Sequence, residues 1–485
     1  MSAVVAAPVR TTRTEERRRG REQDLGPSIL VAAISSGFGT VLISATGFIG
    51  AWLMAAPYLA GRESAVVVVS ILSTLLVAVA MFVAAIVTTN TFATIVAGRT
   101  RQIALMRLIG ASARSQRVRV ARQGLVAGAI GAAIGLIGGT AGAALLPPLA
   151  RAAWGIEVEY QVVQPALLAP AVIVTLTTWA SAWVGSRRVL DVTPLQAIAG
   201  STERTALEAV GGRGRRVVAA VLFIGGTLVL TGGIILGLFS PLGVVVAFFG
   251  GIFSFTGVSL GATTVMPPLL RATGRLFGRT AAARLAAENA LRYPERSSRM
   301  AIGVVMGVIL VTMFAVASQS AREVLVQSSG GEPPEQLLSL MDTFAAIMMS
   351  LLAVSAVIAA VGLVNLLTLG VRQRRRELGL LRTLGFSVRQ IRQMVLLEAA
   401  HITVTAVALG LLLGVLYGWA GAQALLGSVG VPPLFSSPTF VPPSVPWSTV
   451  ALVVVATALL TAVAAVSPTR LATSVSPVDA LQNDN

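Results

Sequence analysis

Cysteine and lysine are both missing from this chain of 485 residues, and histidine occurs only once. Without cysteine there is no disulfide and no thiol chemistry. Without lysine the chain cannot form an ordinary P-loop, in which a lysine reaches the β- and γ-phosphates of a nucleotide. The single histidine and the 20 acidic residues form no recognisable metal or acid–base constellation. We therefore expect no catalytic, metal-binding or cofactor-binding residue, and a protein that is not itself an enzyme.

Apolar residues are abundant instead. They make up 55% of the chain, and the mean hydropathy is +0.82, which is typical of a membrane protein. Ten apolar stretches reach the roughly 20 residues that a helix needs to cross a bilayer. They lie near residues 29–54, 65–97, 123–146, 164–186, 217–238, 243–267, 300–319, 343–370, 395–421 and 448–467.

The basic residues divide by side of the membrane. All 37 are arginine, and 34 of them fall on one side of the ten predicted spans against three on the other. The positive-inside rule then predicts an all-α polytopic protein with ten spans and both termini in the cytoplasm. Because topology accounts for the net charge of +17, we expect the lipid bilayer and no nucleic acid as a partner. Arginine without lysine is typical of a GC-rich bacterium, so we expect the bacterial cytoplasmic membrane. The polar residues 1–27 predict a disordered cytoplasmic tail.

The chain matches itself when it is aligned at a shift of 275. Residues 101–112 (RQIALMRLIGAS) then align with residues 376–387 (RELGLLRTLGFS). A second shift, 283, aligns residues 193–197 with residues 476–480. The first shift also pairs Asn90 with Asn365, Gly135 with Gly410, and Gly139 with Gly414.

These matches predict two four-helix repeats, residues 28–200 and 271–485, joined by an inserted pair of transmembrane helices at residues 201–270. The insertion adds an even number of crossings, so both repeats enter the membrane from the cytoplasm. The repeats are therefore predicted to be parallel, with a pseudo-two-fold axis along the membrane normal.

The repeated segment has the pattern of a short amphipathic helix, a tight turn and a second helix. In the second copy, Leu378, Leu381 and Leu384 recur at every third position. Leu380 lies four positions before Leu384, and together these spacings predict one apolar face. The polar residues predicted to face water or headgroups are Arg376, Glu377 and Arg382. Gly385 is placed to end the first helix, and Ser387 with Gln390 forms a capping box for the next. Gly110 and Ser112 repeat the stop and the start in the first copy.

Small residues recur in the third span of each repeat, at Gly135 and Gly139 and again at Gly410 and Gly414. Spacing of this kind lets helix backbones approach closely in lipid, so we interpret these glycines as helix-packing residues. A sliding or lateral-gate role is the alternative.

Few ionisable or amide side chains lie inside the predicted spans. Asn90 and Asn365 fall near the inner ends of spans 2 and 8, where helix–helix hydrogen bonds are expected, and their repetition indicates a common place in coupling. Glu398 falls at the cytoplasmic end of span 9. His401, one turn further on, is expected to pack or hydrogen-bond and not to relay protons. No acid lies deep in any predicted span, which argues against an ion-driven carrier.

The repeated pattern, placed after the second span of each half, resembles the FtsX-like/MacB-like permease family of ABC transporters in its ten-span form. Residues 287–296 (AENALRYPER) are similar to the helix that precedes the first span of a repeat in that family. Glu398 matches the family's glutamate at the start of a third span. The Pro-x-x-Ala endings at residues 194–197 and 477–480 resemble its C-terminal tag.

The resemblance implies that residues 101–114 and 376–389 are coupling helices that dock on a separate ATPase, with two ATPase subunits per permease chain and with ATP and Mg bound on those subunits. Asn90, Asn365 and Glu398 are then coupling-associated. The docking residues implied are Arg101, Gln102, Met106, Arg107, Gly110, Ser112, Arg114, Arg376, Glu377, Leu381, Arg382, Gly385, Ser387 and Arg389.

The chain departs from the family pattern at three points, which limit what the resemblance implies. Gln102 stands where the family usually has glutamate, so we expect the two docking sites to be unequal. The first repeat has an arginine-rich tail in place of the helix that precedes the first span. The chain also lacks the large extracytoplasmic domain that is usual in the family, which argues against a role needing a long external stalk.

These features favour the transmembrane subunit of an ABC transporter, which would couple ATP hydrolysis on partner chains to export (efflux) or extraction of an apolar or amphiphilic substrate such as a lipid or peptide. One alternative is a mechanotransmission module that relays ATPase motion to an extracytoplasmic partner without transport. The other is an ATP-independent membrane carrier or scaffold.

Overall fold

The computed structural model describes residues 13–55, 112–155, 157–186, 213–275, 280–292, 294–328, 375–429 and 438–474, with isolated positions within 74–82 and 335–349. These residues form α-helices, one 3₁₀ turn at Pro165–Leu167 and irregular connections, and no strand occurs among them. The prediction of an all-α membrane protein is confirmed for this part of the chain. The helices are α1 (Arg13–Ala55), α2 (Ala113–Ala143), α3 (Leu146–Trp154), α4 (Leu168–Gly185), α5 (Arg213–Gly237), α6 (Gly243–Leu260), α7 (Ala262–Gly274), α8 (Ala281–Arg292), α9 (Pro294–Ser328), α10 (Arg375–Thr383), α11 (Val388–Leu426) and α12 (Trp447–Ser474).

Seven of the described helical segments are long and apolar enough to cross a membrane, and each coincides with a predicted span. The apolar part of α12, Trp447–Val463, is shorter but falls on the predicted tenth span. The predicted spans 65–97 and 343–370 lie outside the described residues apart from isolated positions. The count of ten spans and the position of the termini therefore stay predictions.

The helices extend beyond the predicted limits of several spans. Helix α1 begins at Arg13, so residues 13–27 are helical and the prediction of a disordered tail is wrong there. Arginine and glutamate, which are frequent in residues 13–27, have high helix propensity. Hydropathy marks where a helix becomes apolar, whereas the backbone hydrogen bonds continue past that point.

The predicted span 243–267 is divided in the structure. Helix α6 ends at Leu260, and α7 begins at Ala262. Gly261 separates them with φ −82° and ψ 1°, which lies outside the helical region. The insertion predicted at residues 201–270 therefore continues through α7, which leads the chain towards the second repeat.

The third helix of each repeat packs closely on the first helix of the same repeat. A Cβ atom added to Gly139 of α2 would lie 2.7 Å from the carbonyl oxygen of Gly37 on α1. A Cβ atom added to Gly414 of α11 would lie 2.7 Å from Cβ of Thr312 on α9. The shift that aligns Gly139 with Gly414 also aligns Gly37 with Thr312, so the two helix pairs share one register.

Gly135 and Gly410 extend this correspondence one turn earlier. Gly135 lies against the carbonyl oxygen of Ala33, and Gly410 lies against the side chain of Val308, which the same shift aligns with Ala33. All four glycines that were interpreted as packing residues thus stand at close helix–helix contacts. A larger residue at these positions would push the helices apart.

Helix α11 is the centre of the second repeat. It packs against α5, α6, α7, α8, α9 and α12. The buried hydrophobic cluster around α9 and α11 also includes Phe38, Leu42 and Ile49 of α1, so apolar side chains join the two repeats. Among the described spans α9 is the most buried and α5 the least, which places α5 at the lipid-facing edge of the helices described.

Candidate functional site

The second copy of the repeated segment forms a rigid bend between α10 and α11. Gly385 has φ +95°, a left-handed conformation that glycine adopts without strain. The N–H of Phe386 donates to the carbonyl of Leu381 at 3.0 Å, and the N–H of Gly385 donates to the carbonyl of Arg382 at 3.1 Å. These two bonds form a Schellman motif, which satisfies carbonyl groups at the end of α10. The predicted helix stop at Gly385 is therefore confirmed.

The capping box that begins α11 is also present. The N–H of Gln390 donates to Oγ of Ser387 at 3.2 Å, and the N–H of Ser387 donates to Oε1 of Gln390 at 2.8 Å. In the first copy, Oγ of Ser112 accepts from the N–H of Ser115 at 3.1 Å, so a serine also caps α2, without the reciprocal bond of a capping box. A short, capped turn therefore joins the end of α10 to the start of α11. We call residues 375–394 the second elbow.

One side of the second elbow is buried against helix α8. Leu378 is 4% exposed and forms a small hydrophobic cluster with Ala282 and Ala286 of α8 and with Ile391 and Met394 of α11. The partly buried side chains packed against this cluster are Leu285, Leu381, Phe386 and Leu397. Helix α8 contains the start of the segment 287–296 that resembled the family's pre-span helix, and in the structure it holds the elbow in place.

The other side of the second elbow exposes apolar side chains. Leu384 is 78% exposed, Leu380 45% and Val388 38%. The prediction of a single apolar face through Leu378, Leu381 and Leu384 is therefore wrong. At 100° per residue, Leu378 and Leu381 are about 60° apart, while Leu380 and Leu384 lie together on roughly the opposite side of the helix.

A family model described as FtsX-like permease C-terminal matches residues 74–194 and 349–477, which together make up about half of the chain. The chain belongs to the FtsX-like permease family. The starts of the two matches and their ends are offset by the same two shifts that align the sequence with itself. No curated protein matches the chain by sequence comparison. Membership implies a multi-pass membrane component that is generally not catalytic itself and that associates with ABC ATPases.

Both segments implied as docking sites of this FtsX-like permease lie inside the family matches. In the second segment, Glu377 and Arg389 are exposed and Arg382 is partly exposed, while of Arg376 only the backbone is described. In the first segment, Arg114 is exposed at the start of α2. The remaining residues of the first segment, Arg101, Gln102, Met106, Arg107 and Gly110, lie outside the described residues, as do Asn90 and Asn365.

Glu398 and His401 are buried where α11 crosses α7. Glu398 is 4% exposed and His401 is 1% exposed. Nε2 of His401 lies 2.8 Å from the carbonyl oxygen of Leu270 and 3.1 Å from Oγ1 of Thr273, both on α7. Oγ1 of Thr273 lies 2.7 Å from Oγ1 of Thr405, one turn after the histidine. The expectation that His401 packs and hydrogen-bonds is therefore confirmed.

Sequence reasoning missed two features of this site. The exposure of Leu380 and Leu384 was missed because both were assigned to one apolar face with Leu378, although at 100° per residue they lie about 160° and 120° from it around the helix. The contact between His401 and Thr273 joins residues 128 positions apart, and no local pattern in the sequence points to it.

Within the described residues no group of three or more histidine, cysteine or acidic side chains is placed to hold a metal ion.

Proposed function

We propose that this FtsX-like permease is the transmembrane subunit of an ABC transporter in a bacterial cytoplasmic membrane, and that the second elbow is a docking site for its ATPase. The observation that carries the proposal is the exposed pair Leu380 and Leu384 on a rigid bend. Large apolar side chains exposed together on a protein surface mark a contact site.

The chemistry of the elbow indicates the surface that binds it. The exposed leucines fit an apolar pocket, and fully burying one leucine side chain contributes about 1.5–3 kcal/mol. Arg389 and Arg392 are exposed just beyond the bend, so an acidic rim on the partner would complement them. The Schellman motif and the capping box fix the leucines before binding, which reduces the entropy lost on association.

Motion of the second elbow would pass directly into the membrane. Helix α11 runs without interruption from Val388 at the elbow to Leu426. It packs closely on α9 at Gly410, Gly414 and Gly418, and on the inserted helices α5 and α6 near its far end. A displacement of the elbow therefore tilts α11 and forces α9 and the inserted pair to repack. The corresponding segment of the first repeat, residues 101–114, which we call the first elbow, would act in the same way on α2, with Gln102 in the place of Glu377 making the two docking sites unequal.

The contact between the repeats favours an apolar or amphiphilic substrate. Phe38 and Leu42 of α1 belong to the same buried cluster as Met306 and Leu310 of α9. If the repeats separate during the cycle, the surface that opens between them is hydrocarbon-like. A lipid or peptide-like molecule would be stable on that surface, whereas an ion or a sugar would lose its hydration. We propose export (efflux) or extraction of such a molecule.

A mechanotransmission role is the second candidate, because the outer connections are fastened to the first helix of each repeat. Tyr160 packs edge-on against Phe48 of α1 with ring centroids 5.7 Å apart. Ser444 donates a short hydrogen bond to the carboxylate of Glu323 on α9, and its N–H donates to Oγ of Ser320 at 3.2 Å. Motion of α1 or α9 would therefore move these outer segments, and an external partner could sense it.

Purification of the tagged chain from its native host tests the proposal. We expect an ATPase subunit to copurify. An amphiphile should stimulate its MgATP hydrolysis if a substrate is transported. Only an extracytoplasmic protein should stimulate it if motion is relayed without transport. Because Leu380 is 45% and Leu384 78% exposed before binding, the double variant Leu380→Ala/Leu384→Ala removes about 2 kcal/mol of apolar burial and is expected to weaken the complex about thirtyfold.

Leu412→Ala is the matched control, because Leu412 is 59% exposed on the same helix as the elbow but within the membrane span. It is expected to leave the complex intact. Purification of the chain without any ATPase subunit in several detergents would refute docking of an ATPase on the second elbow. A double variant that binds its partner as tightly as the wild type would also refute it. Dependence of activity on a proton gradient in place of ATP would instead support the ATP-independent carrier.

A further inference from the structure

The two third helices, α2 and α11, are covered differently at their cytoplasmic ends. In α11, the stripe formed by Met394, Leu397, His401 and Thr405 is buried or partly buried. Helix α8 covers Met394 and Leu397, and α7 covers His401 and Thr405 through Leu270 and Thr273. The chain itself thus covers this side of the second repeat.

The equivalent stripe of α2 faces outwards. The first shift places Arg119, Arg122, Val126 and Ile130 at the four positions of the buried stripe. Arg119 and Arg122 are exposed, Val126 is 41% exposed and Ile130 is 45% exposed. Among the described helices, none occupies the place on α2 that α7 and α8 occupy on α11.

The order of these four residues matches a phospholipid of the cytoplasmic leaflet. Arg119 and Arg122 are about 4.5 Å apart along the helix axis, so both can reach one headgroup. Val126 and Ile130 continue into the span, and Ile130 lies about 16 Å beyond Arg119, which is close to half the thickness of the hydrocarbon core. No ion pair between either guanidinium and a described acidic residue is present.

We propose that α2 binds an anionic phospholipid of the cytoplasmic leaflet, with its phosphate on Arg119 and Arg122 and its acyl chains against Val126 and Ile130. The lipid takes the place that α7 and α8 fill in the second repeat. Arginine selects this ligand because its planar donors pair with phosphate and because anionic headgroups attract basic residues next to a span. The site is independent of any ATPase bound at the elbows.

The test is native mass spectrometry of the full chain, purified and mixed with equal amounts of phosphatidylglycerol and phosphatidylcholine. We expect the wild type to retain phosphatidylglycerol preferentially. Arg119→Gln/Arg122→Gln is expected to lower that preference about thirtyfold, since each basic residue near an anionic surface contributes about 1 kcal/mol and 1.4 kcal/mol is tenfold. Arg119→Lys/Arg122→Lys keeps both positive charges and should retain most of the preference.

The matched control is Arg216→Gln, because Arg216 is exposed near the same predicted face of the membrane but on the inserted helix α5. It should leave lipid retention unchanged. The proposal is overturned by a double glutamine variant that keeps the wild-type lipid preference, or by an equal loss with Arg216→Gln. Displacement of the lipid by millimolar inorganic phosphate would also overturn it, since the site would then hold a free anion. Loss of the copurifying ATPase with unchanged lipid retention would identify the face as a protein contact instead.

Discussion

Replacing Gly385 with alanine tests whether the second elbow is rigid for the reason given. Gly385 has φ +95°, and an added Cβ meets no atom within 4 Å, so the cost is one of backbone conformation and not of a clash. A left-handed conformation costs a non-glycine residue about 1–2 kcal/mol. The lower entropy of the unfolded chain with alanine offsets only part of this cost, and we expect a net loss of about 1 kcal/mol at the bend.

The stability lost in Gly385→Ala should appear at the end of α10 and not throughout the fold. Opening of the end of α10 breaks the bonds that Phe386 and Gly385 donate, so their amides should exchange with solvent about fivefold faster in hydrogen–deuterium exchange. Gly303→Ala is the control, because Gly303 is helical in α9 and has no atom within 4 Å of an added Cβ. There alanine should be neutral or stabilising. Unchanged exchange at residues 385 and 386 in Gly385→Ala would refute the role of the Schellman motif.

Three further substitutions probe contacts elsewhere. Gly414→Ala should destabilise the fold by about 1–3 kcal/mol in thermal unfolding, because its Cβ would overlap α9, whereas Gly421→Ala on the same helix meets nothing and should not. Ser387→Ala removes the capping box and should cost about 1 kcal/mol, seen as faster exchange of the first turn of α11. Thr273→Val removes a hydroxyl beside His401 and should lower the free energy of unfolding by about 0.6 kcal/mol, seen as a lower unfolding temperature. An unchanged unfolding temperature would show that this contact adds no stability.

The parts of the elbow that could be predicted from sequence are those that depend on a few adjacent residues. Gly385 must end a helix that cannot continue through a left-handed residue, and Ser387 with Gln390 satisfies amides only three positions apart. Apolar length likewise located seven of the described spans, because crossing a bilayer sets a minimum length regardless of tertiary packing.

Which leucines of the second elbow are buried and which are exposed could not be predicted in the same way. Leu378 and Leu384 have the same side chain, and tertiary packing of the elbow on α8, which lies far earlier in the chain, and on the start of α11 makes one of them buried and leaves the other exposed. The contact of His401 with α7 has the same character, since it joins distant parts of the chain. The helical residues 13–27 escaped prediction because polarity was interpreted as disorder, whereas arginine and glutamate have high helix propensity.

The difference between the repeats follows from the inserted helices α5 to α7 and from α8, which all pack on the third helix of the second repeat. Both third helices keep the same glycine contacts with their first helices, so the two repeats share a packing plan. Helix α11 is additionally held by α5, α6, α7 and α8, whereas among the described helices α2 packs mainly on α1 and α4. An equal displacement of both elbows would therefore repack more protein in the second repeat than in the first. Since α2 has lipid where α11 has protein, we expect α2 to move at lower cost, and the two elbows to respond unequally even to identical partners.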